Sequence, residues 1–390
     1  MLIQSRLSLA RSDHTLSVVG NKAYIFGGET TEGKLAYRDI HAVTLESSGE
    51  PESSYSVIPA VADVKDGEVP AARKKHAACA FNVCVAVFGG ADEQDQLVDS
   101  QSTIWLFNTS KAAWEVMEGS QSEHGPKQRS SARLFDYQNS IVMYGGIDAT
   151  GTELNDVWHF DYVDKKWSQL PDAPISTRHA SLWDGALYLV SGSDNMSGDL
   201  HFLQIRVKPD QKCSWATVSF PTNPLTPGPL PRKGAGLLGM STGYGRNYLL
   251  YMFGARQHAP VVSAETAGSA QAAGESKDAS PQYWSDMWTF QLPSSQPEVK
   301  ATTNLYDALK PSKVKDSIRE ALGTESGKHS WGEVEVLPPS DLTMSEGKVH
   351  PGPRGFFASD LMEDGRSVVL WGGINAKGEK EGDGWIIKLE

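Results

Sequence analysis

The sequence predicts an all-β chain folded as a six-bladed β-propeller, and three observations predict it. An apolar run ending in a small-residue doublet recurs six times along the 390 residues: Phe26-Gly27-Gly28, Phe88-Gly89-Gly90, Tyr144-Gly145-Gly146, Val190-Ser191-Gly192, Phe253-Gly254-Ala255 and Trp371-Gly372-Gly373. Downstream of each lies a second apolar run keyed by an aromatic residue or histidine: His41, Trp105, Trp158, His201, Trp288 and Trp385. Two residues before that key stands an aspartate in five copies, Asp39, Asp156, Asp199, Asp286 and Asp383, with Thr103 in the second copy.

Each copy reads as four short strands. The first precedes a tight turn, as in HTLSVVGNKAYIFGG, the second ends at the doublet and the third carries the key residue. The outermost carries a further aromatic, Tyr55, Trp114, Trp167, Trp215 or Trp331. Period-2 alternation bounded by turn residues argues for strands over helices. Glycine suits the end of the second strand because it relieves crowding and allows positive φ. Repeats of roughly 50 residues, each a small four-stranded sheet, pack radially into a propeller. The sixth copy ends at Glu390 without an outer strand. The N-terminal MLIQSRL matches KWSQLP in place and character, so it is expected to supply that strand and close the ring. The same basic, Leu- and Ser-rich start also reads as a transit peptide, but cleavage would leave the sixth blade short.

Spacing places two insertions in the fifth copy of a propeller domain read as spanning 1–390. Residues 256–283 are rich in Ala, Ser and Gly and are expected to form a mobile loop. In 293–328 the segment TNLYDALKPSKVKDSIREAL has helical periodicity interrupted at Pro311.

Composition excludes several function classes. A net charge of -12 disfavours nucleic acid and anionic membranes, which reward surplus Lys and Arg. No apolar run is long enough to span a bilayer. Three cysteines, Cys79, Cys84 and Cys213, without CxxC spacing, fit a reducing cytoplasmic setting better than a disulfide or zinc framework. A closed ring has no sheet edge that demands a mate, so a monomer is expected.

The repeated pattern resembles the kelch repeat family over essentially the whole chain, most fully in YGGIDATGTELNDVWHFDYVDKKW of the third copy. The fourth and fifth copies depart from it, with Ser191 and Ala255 in place of a glycine. The resemblance implies a propeller whose inter-blade side receives a partner peptide or a small molecule. It also brings copper and iron chemistry into view. A copper centre of the galactose oxidase type needs His and Tyr ligands and an additional domain. The acidic and His triplet of nitrile-specifier proteins is not matched, because Asp194, Asp199 and His201 have the wrong spacing. No metal and no cofactor are therefore expected. GMSTG, 239–243, matches a nucleophile elbow, yet it falls in a hairpin where that motif needs a strand-to-helix turn.

Strand alternation puts the loops joining second to third strands on the same side as the inter-blade loops. On that side an arginine precedes the innermost strand in every copy: Arg11, Arg73, Arg129, Arg178, Arg232 and Arg354. Arg178 is out of register, occupying the place of His14 and His76 in other copies. His14, His76 and His179 lie near the inner-strand starts and are candidate acids or bases on a bound ligand. Two readings of the arginines stand. A free ring would trap carboxylates or phosphates through forked donors; alternatively each pairs with the aspartate heading its third strand, leaving a neutral frame. In the second copy Thr103 replaces that aspartate, so Arg73, in RKKH, is expected to be free. The function expected is a binding or scaffolding protein holding an acidic peptide or anionic ligand on this face. The alternative is a cofactor-independent isomerase, cyclase or specifier-type enzyme using the central pocket.

Overall fold

The computed structural model describes residues 2–5, 9–45, 55–99, 102–117, 125–191, 199–205, 213–219, 228–243, 246–256, 283–292, 331–335 and 350–389. They form six four-stranded antiparallel sheets. Blade 1 runs outward as Thr15–Val19, Lys22–Phe26, Ile40–Thr44 and Tyr55–Ile58. Blade 2 is Ala77–Phe81, Cys84–Phe88, Ile104–Asn108 and Ala113–Met117. Blade 3 is Arg133–Tyr137, Ser140–Ile147, Glu153–Asp161 and Lys166–Leu170. Blade 4 is Ala180–Trp183, Ala186–Val190, Leu200–Gln204 and Trp215–Val218. Blade 5 is Gly236–Gly243, Arg246–Met252, Met287–Leu292 and Trp331–Glu333. Blade 6 is Ala358–Leu361, Ser367–Trp371, Asp383–Lys388 and, from the other end of the chain, Leu2–Ser5. That strand pairs with Asp383–Lys388 in the register Leu2↔Trp385 and Ser5↔Asp383, so the N-terminus closes the ring as expected.

Alternation explains how the blades adhere. Each sheet presents apolar side chains on both faces, and six buried clusters fill the six seams between neighbours. In the seam between blades 1 and 2, Tyr24 and Phe26 meet Val85, Val87, Phe107 and Trp114. The Phe26 and Trp114 rings lie 5.2 Å apart at 55°, a tilted geometry that aromatic quadrupoles favour over a face-to-face stack. Full burial of one such side chain contributes about 1.5–3 kcal/mol.

The fifth blade corrects the sequence alignment. Its doublet is Phe253-Gly254, one position earlier than Gly254-Ala255. Phe253 has φ 55, like Gly27 and Gly89 at φ 61 and 60. Its carbonyl accepts from Arg232 as theirs accept from Arg11 and Arg73. A phenylalanine fits there because its ring packs on Phe357 and His350 of the blade 6 side. Most of the expected mobile loop 256–283, the helical segment and Pro311 lie outside the described residues, as do Gly192 and Asp194; Trp331 begins an outer strand as expected. Among the described residues, no helix is long and apolar enough to cross a membrane.

Candidate functional site at the inter-blade mouth of the channel

The arginines expected to line this face are frame elements. Arg11, Arg73, Arg129, Arg232 and Arg354 are each no more than 2% exposed. Each donates from Nη1 to the carbonyl of its own doublet, at Gly27, Gly89, Gly145, Phe253 and Gly372, over 2.9–3.1 Å. Arg129, Arg232 and Arg354 pair through both terminal nitrogens with Asp156, Asp286 and Asp383. The same aspartates accept from the indole N–H of Trp158, Trp288 and Trp385 at 2.7–2.9 Å. Buried charge is tolerated only when paired and hydrogen-bonded, and this clamp meets both conditions. Burial alone would push the Asp286 carboxyl up, but hydrogen bonding and charge from Arg232 hold it below its ordinary value.

Blade 2 overturns the expectation that Arg73 is free. Asp99, in the left-handed region at φ 69, takes over from the missing aspartate and pairs with both terminal nitrogens of Arg73. Because that carboxylate comes from a different place in the loop, the indole N–H of Trp105 has no partner among the described residues. In blade 1 the partner is a histidine. Nη2 of Arg11 lies 3.2 Å from Nε2 of His41, whose Nδ1 lies 2.7 Å from the Tyr55 hydroxyl. Burial, then Arg11, lowers the His41 pKa to about 4. The ring is therefore neutral, and Nε2 accepting with Nδ1–H donating satisfies both contacts.

The arginine backbone also joins blade to blade. The second residue of a doublet donates its N–H to the arginine carbonyl of the next blade: Gly28 to Arg73, Gly90 to Arg129, Gly254 to Arg354 and Gly373 to Arg11, over 2.7–3.0 Å. Above this runs a collar of residues with positive φ, Asp13, Lys75, Ser131, Gly234 and Phe356. Each of four successive links is a backbone hydrogen bond: Phe356 to Gly234, Asp13 to Phe356, Lys75 to Asp13 and Ser131 to Lys75. Left-handed backbone costs a non-glycine residue roughly 1–2 kcal/mol, so the surrounding bonds must fix it. Blade 4 breaks the pattern. Thr177 stands at the collar position, and its N–H donates to the Tyr144 hydroxyl instead. The collar thus opens between blades 3 and 5, beside Arg178.

The three histidines are not acids or bases near neutrality. His14, His76 and His179 are buried. Burial first, and the nearby arginines after it, lower His76 and His179 to about 3 and His14 well below its ordinary range. They act as neutral seam fillers. His76 stands edge-on to Phe26 and meets the Thr15 hydroxyl at 2.7 Å, and His179 meets the Tyr251 hydroxyl at 3.2 Å.

Of the predicted residues His14 and His76 do line the cavity, and sequence reasoning missed the charged residue that joins them there. The innermost strands enclose a cavity of about 490 Å³ lined by Arg133, Phe135, Asp136, Leu238 and Asp360 among others. Arg133 opens the inner strand of blade 3, opposite Tyr144 in register, where other blades carry Thr15, Ala77 or Ala358. Its Nε donates to the Arg178 carbonyl at 2.8 Å. Among the described residues no carboxylate lies within ion-pair distance of it. Burial and then the Arg178 charge lower its pKa to about 10, so it remains a cation. The Arg178 side chain itself is 40% exposed, and among the described residues its one ion-pair contact is Glu153 at 3.8 Å. Aligning inner strands by position, instead of searching for arginines upstream of the doublet, would have singled out Arg133.

Lower in the cavity the charge is negative. Asp360 accepts N–H bonds from Val18 and Leu361, each at 2.8 Å, yet burial pushes its carboxyl up to about 6. An unfolded aspartate titrates near 3.9. The native state therefore binds this proton more tightly, and stability falls as pH rises from about 4 to 6. Asp360→Asn is expected to remove that slope. Urea unfolding of both proteins across this window should show the variant gaining on the wild type as pH rises; parallel profiles would contradict it.

A family profile described as the KLHDC2/KLHL20/DRC7 Kelch-repeats domain matches residues 13–254, from the collar of blade 1 to the doublet of blade 5. The chain belongs to the Kelch-repeat family. It is 26% identical over 167 residues to the N-(sulfonatooxy)prop-2-enimidothioate sulfolyase of Thlaspi arvense, covering 42% of this chain and 44% of that protein. It is 25% identical over 167 residues to Kelch domain-containing protein 3 of Homo sapiens, covering 41% of each. The matches thus span less than half the length of these Kelch relatives. The solved structure of YjhT superposes with a TM-score of 0.58 at 12% identity, covering 98% of this chain and 95% of that one, a likeness of fold.

Proposed function

We propose that this Kelch propeller is a binding or scaffolding module that holds an acidic segment of a partner protein at the collar gap beside blade 4. Arg133 carries this reading: it is a cavity-lining guanidinium whose terminal nitrogens have no carboxylate among the described residues. Arg178 stands beside it, and its 3.8 Å contact with half-exposed Glu153 is a surface pair that an incoming carboxylate displaces at little cost. The buried arginines take no part in this reading, since their terminal nitrogens are already committed to the frame.

The test is fluorescence anisotropy on the full chain with labelled Glu- and Asp-rich peptides and their Lys-substituted counterparts. The acidic peptides are expected to bind. Arg133→Gln is expected to weaken them by about tenfold or more, as loss of a charged hydrogen bond of about 1.5–3 kcal/mol implies. Arg178→Gln should have a smaller effect. Equal binding of acidic and basic peptides, or an unchanged affinity in Arg133→Gln, sinks the reading. A second reading, a cofactor-independent small-molecule enzyme, is favoured by the cavity of about 490 Å³ and by the sulfolyase relative, whose name describes an anionic sulfonatooxy compound. In that reading Arg133 orients the anionic group.

A further inference from the structure

The cavity holds charges of both signs that do not meet one another. Arg133 stands at the level of the mouth, and Asp136 follows three residues down the same strand, about 10 Å lower at the rise of an extended chain. Asp136 makes no hydrogen bond or ion pair among the described residues and faces the open cavity. Asp360, two positions below the mouth level of blade 6, has backbone N–H donors but no cation partner among the described residues. Both carboxylates act electrostatically on the Cys79 thiol, but neither acts on the other. Between Arg133 and Asp136 the wall carries Phe135 and Leu238, with Asp360 at their level on blade 6. Arg133 is shielded from water and without a carboxylate among the described residues, which costs free energy that a ligand anion would recover, whereas Asp136 is exposed and open to a ligand cation.

We infer that the central cavity binds a small bipolar organic molecule, its anionic group on Arg133 at the mouth, its ammonium on Asp136 below, and its apolar linker against Phe135 and Leu238. This shares Arg133 with the reading above but depends on the lower carboxylate, which that reading does not use. A bipolar ligand satisfies both levels at once, whereas a simple anion or amine leaves one level unpaired. The volume suits such a molecule, since ligand cavities run to roughly 300–1,000 Å³.

Isothermal titration calorimetry on the full chain with two ω-amino acids, γ-aminobutyrate and ε-aminocaproate, tests this against singly charged butyrate, caproate, butylamine and hexylamine. At least one amino acid is expected to bind about tenfold or more tighter than both of its singly charged analogues. Arg133→Gln and Asp136→Asn should each bring it down to their level, in variants whose melting temperature matches the wild type. Asp136→Ser serves if the Asn variant fails to fold. If neither amino acid outperforms the acid of its own length, the inference is overturned. Loss of caproate binding in Arg133→Gln would then still leave the anion site at the mouth standing. Absence of binding by every compound overturns the bipolar site outright, while the peptide titration decides the mouth separately.

Discussion

Asp383→Ala is expected to destabilise the protein by about 3–5 kcal/mol, the cost of leaving a buried cation without its partner. Arg354 is fully buried and Asp383 is 2% exposed. The carboxylate accepts from both terminal nitrogens of Arg354 at 2.7 and 3.2 Å and from the Trp385 indole at 2.9 Å. Alanine removes these three hydrogen bonds and deprives three donors, the two terminal nitrogens of Arg354 and the Trp385 indole, of their acceptor. Urea unfolding monitored by tryptophan fluorescence measures the loss. Two further variants separate the pair from packing. Arg354→Lys should not restore stability, because one ammonium cannot reproduce the fork that also reaches the carbonyls of Gly372 and Pro351. The double variant Arg354→Met, Asp383→Leu should lose less than Asp383→Ala alone, since no unpaired charge remains. A cost for Asp383→Ala within about 1 kcal/mol, the worth of an exposed pair, would show that water reaches this clamp.

The blades are legible in the sequence because a repeat states its period six times. Tryptophans and glycines at fixed offsets name the strands, and the missing sixth outer strand points to the N-terminus, where Leu2–Ser5 is found. The site is legible only in part, for a physical reason. Residue type announces that an arginine is present, but its availability depends on which carboxylate reaches it in space. Asp99 lies four residues ahead of Thr103, outside the motif, and only the left-handed turn of its backbone aims it at Arg73. The doublet of blade 5 is misplaced by a pattern that demands glycine at φ near +60°, whereas Phe253 holds that conformation with its ring in the adjoining seam. Arg133 escapes the pattern because it sits inside a strand, where position relative to the neighbouring blades is what distinguishes it from Thr15 or Ala77.

The frame arginines and the collar have one consequence for ligand binding. Lys74 is held between Glu29 and Asp95, Lys75 contacts Asp95, and Lys380 contacts Glu29. The mouth is thereby tied across blades 6, 1 and 2 by charges as well as by the backbone links. Blade 4 has neither the buried arginine clamp nor the collar bond, and there Arg178 is exposed. Rigid on one side and open on the other, the mouth places Arg133 and Arg178 where the frame is interrupted, the position the proposed binding reading requires of them.

Gly89→Ala is the second large effect expected, about 2–5 kcal/mol. Two costs combine. Gly89 has φ +60, and a Cβ there would stand 2.3 Å from the carbonyl oxygen of Arg129 in the next blade. The left-handed conformation alone costs an L-residue about 1–2 kcal/mol, and forcing an extra carbon into a packed seam adds about 1–3 kcal/mol. The obstacle is backbone, and it belongs to the residue whose carbonyl accepts the Gly90 N–H and whose side chain holds Asp156. Relief would therefore pull blades 2 and 3 apart. Gly151→Ala isolates the first cost, because Gly151 has φ +83 and a Cβ there would meet nothing within 4 Å. Urea unfolding should place Gly151→Ala at about 1–2 kcal/mol and Gly89→Ala clearly beyond it. Equal losses would mean that the blade seam yields to an added methyl. The close contact between doublet and neighbouring arginine carbonyl would then not be what holds successive blades in register.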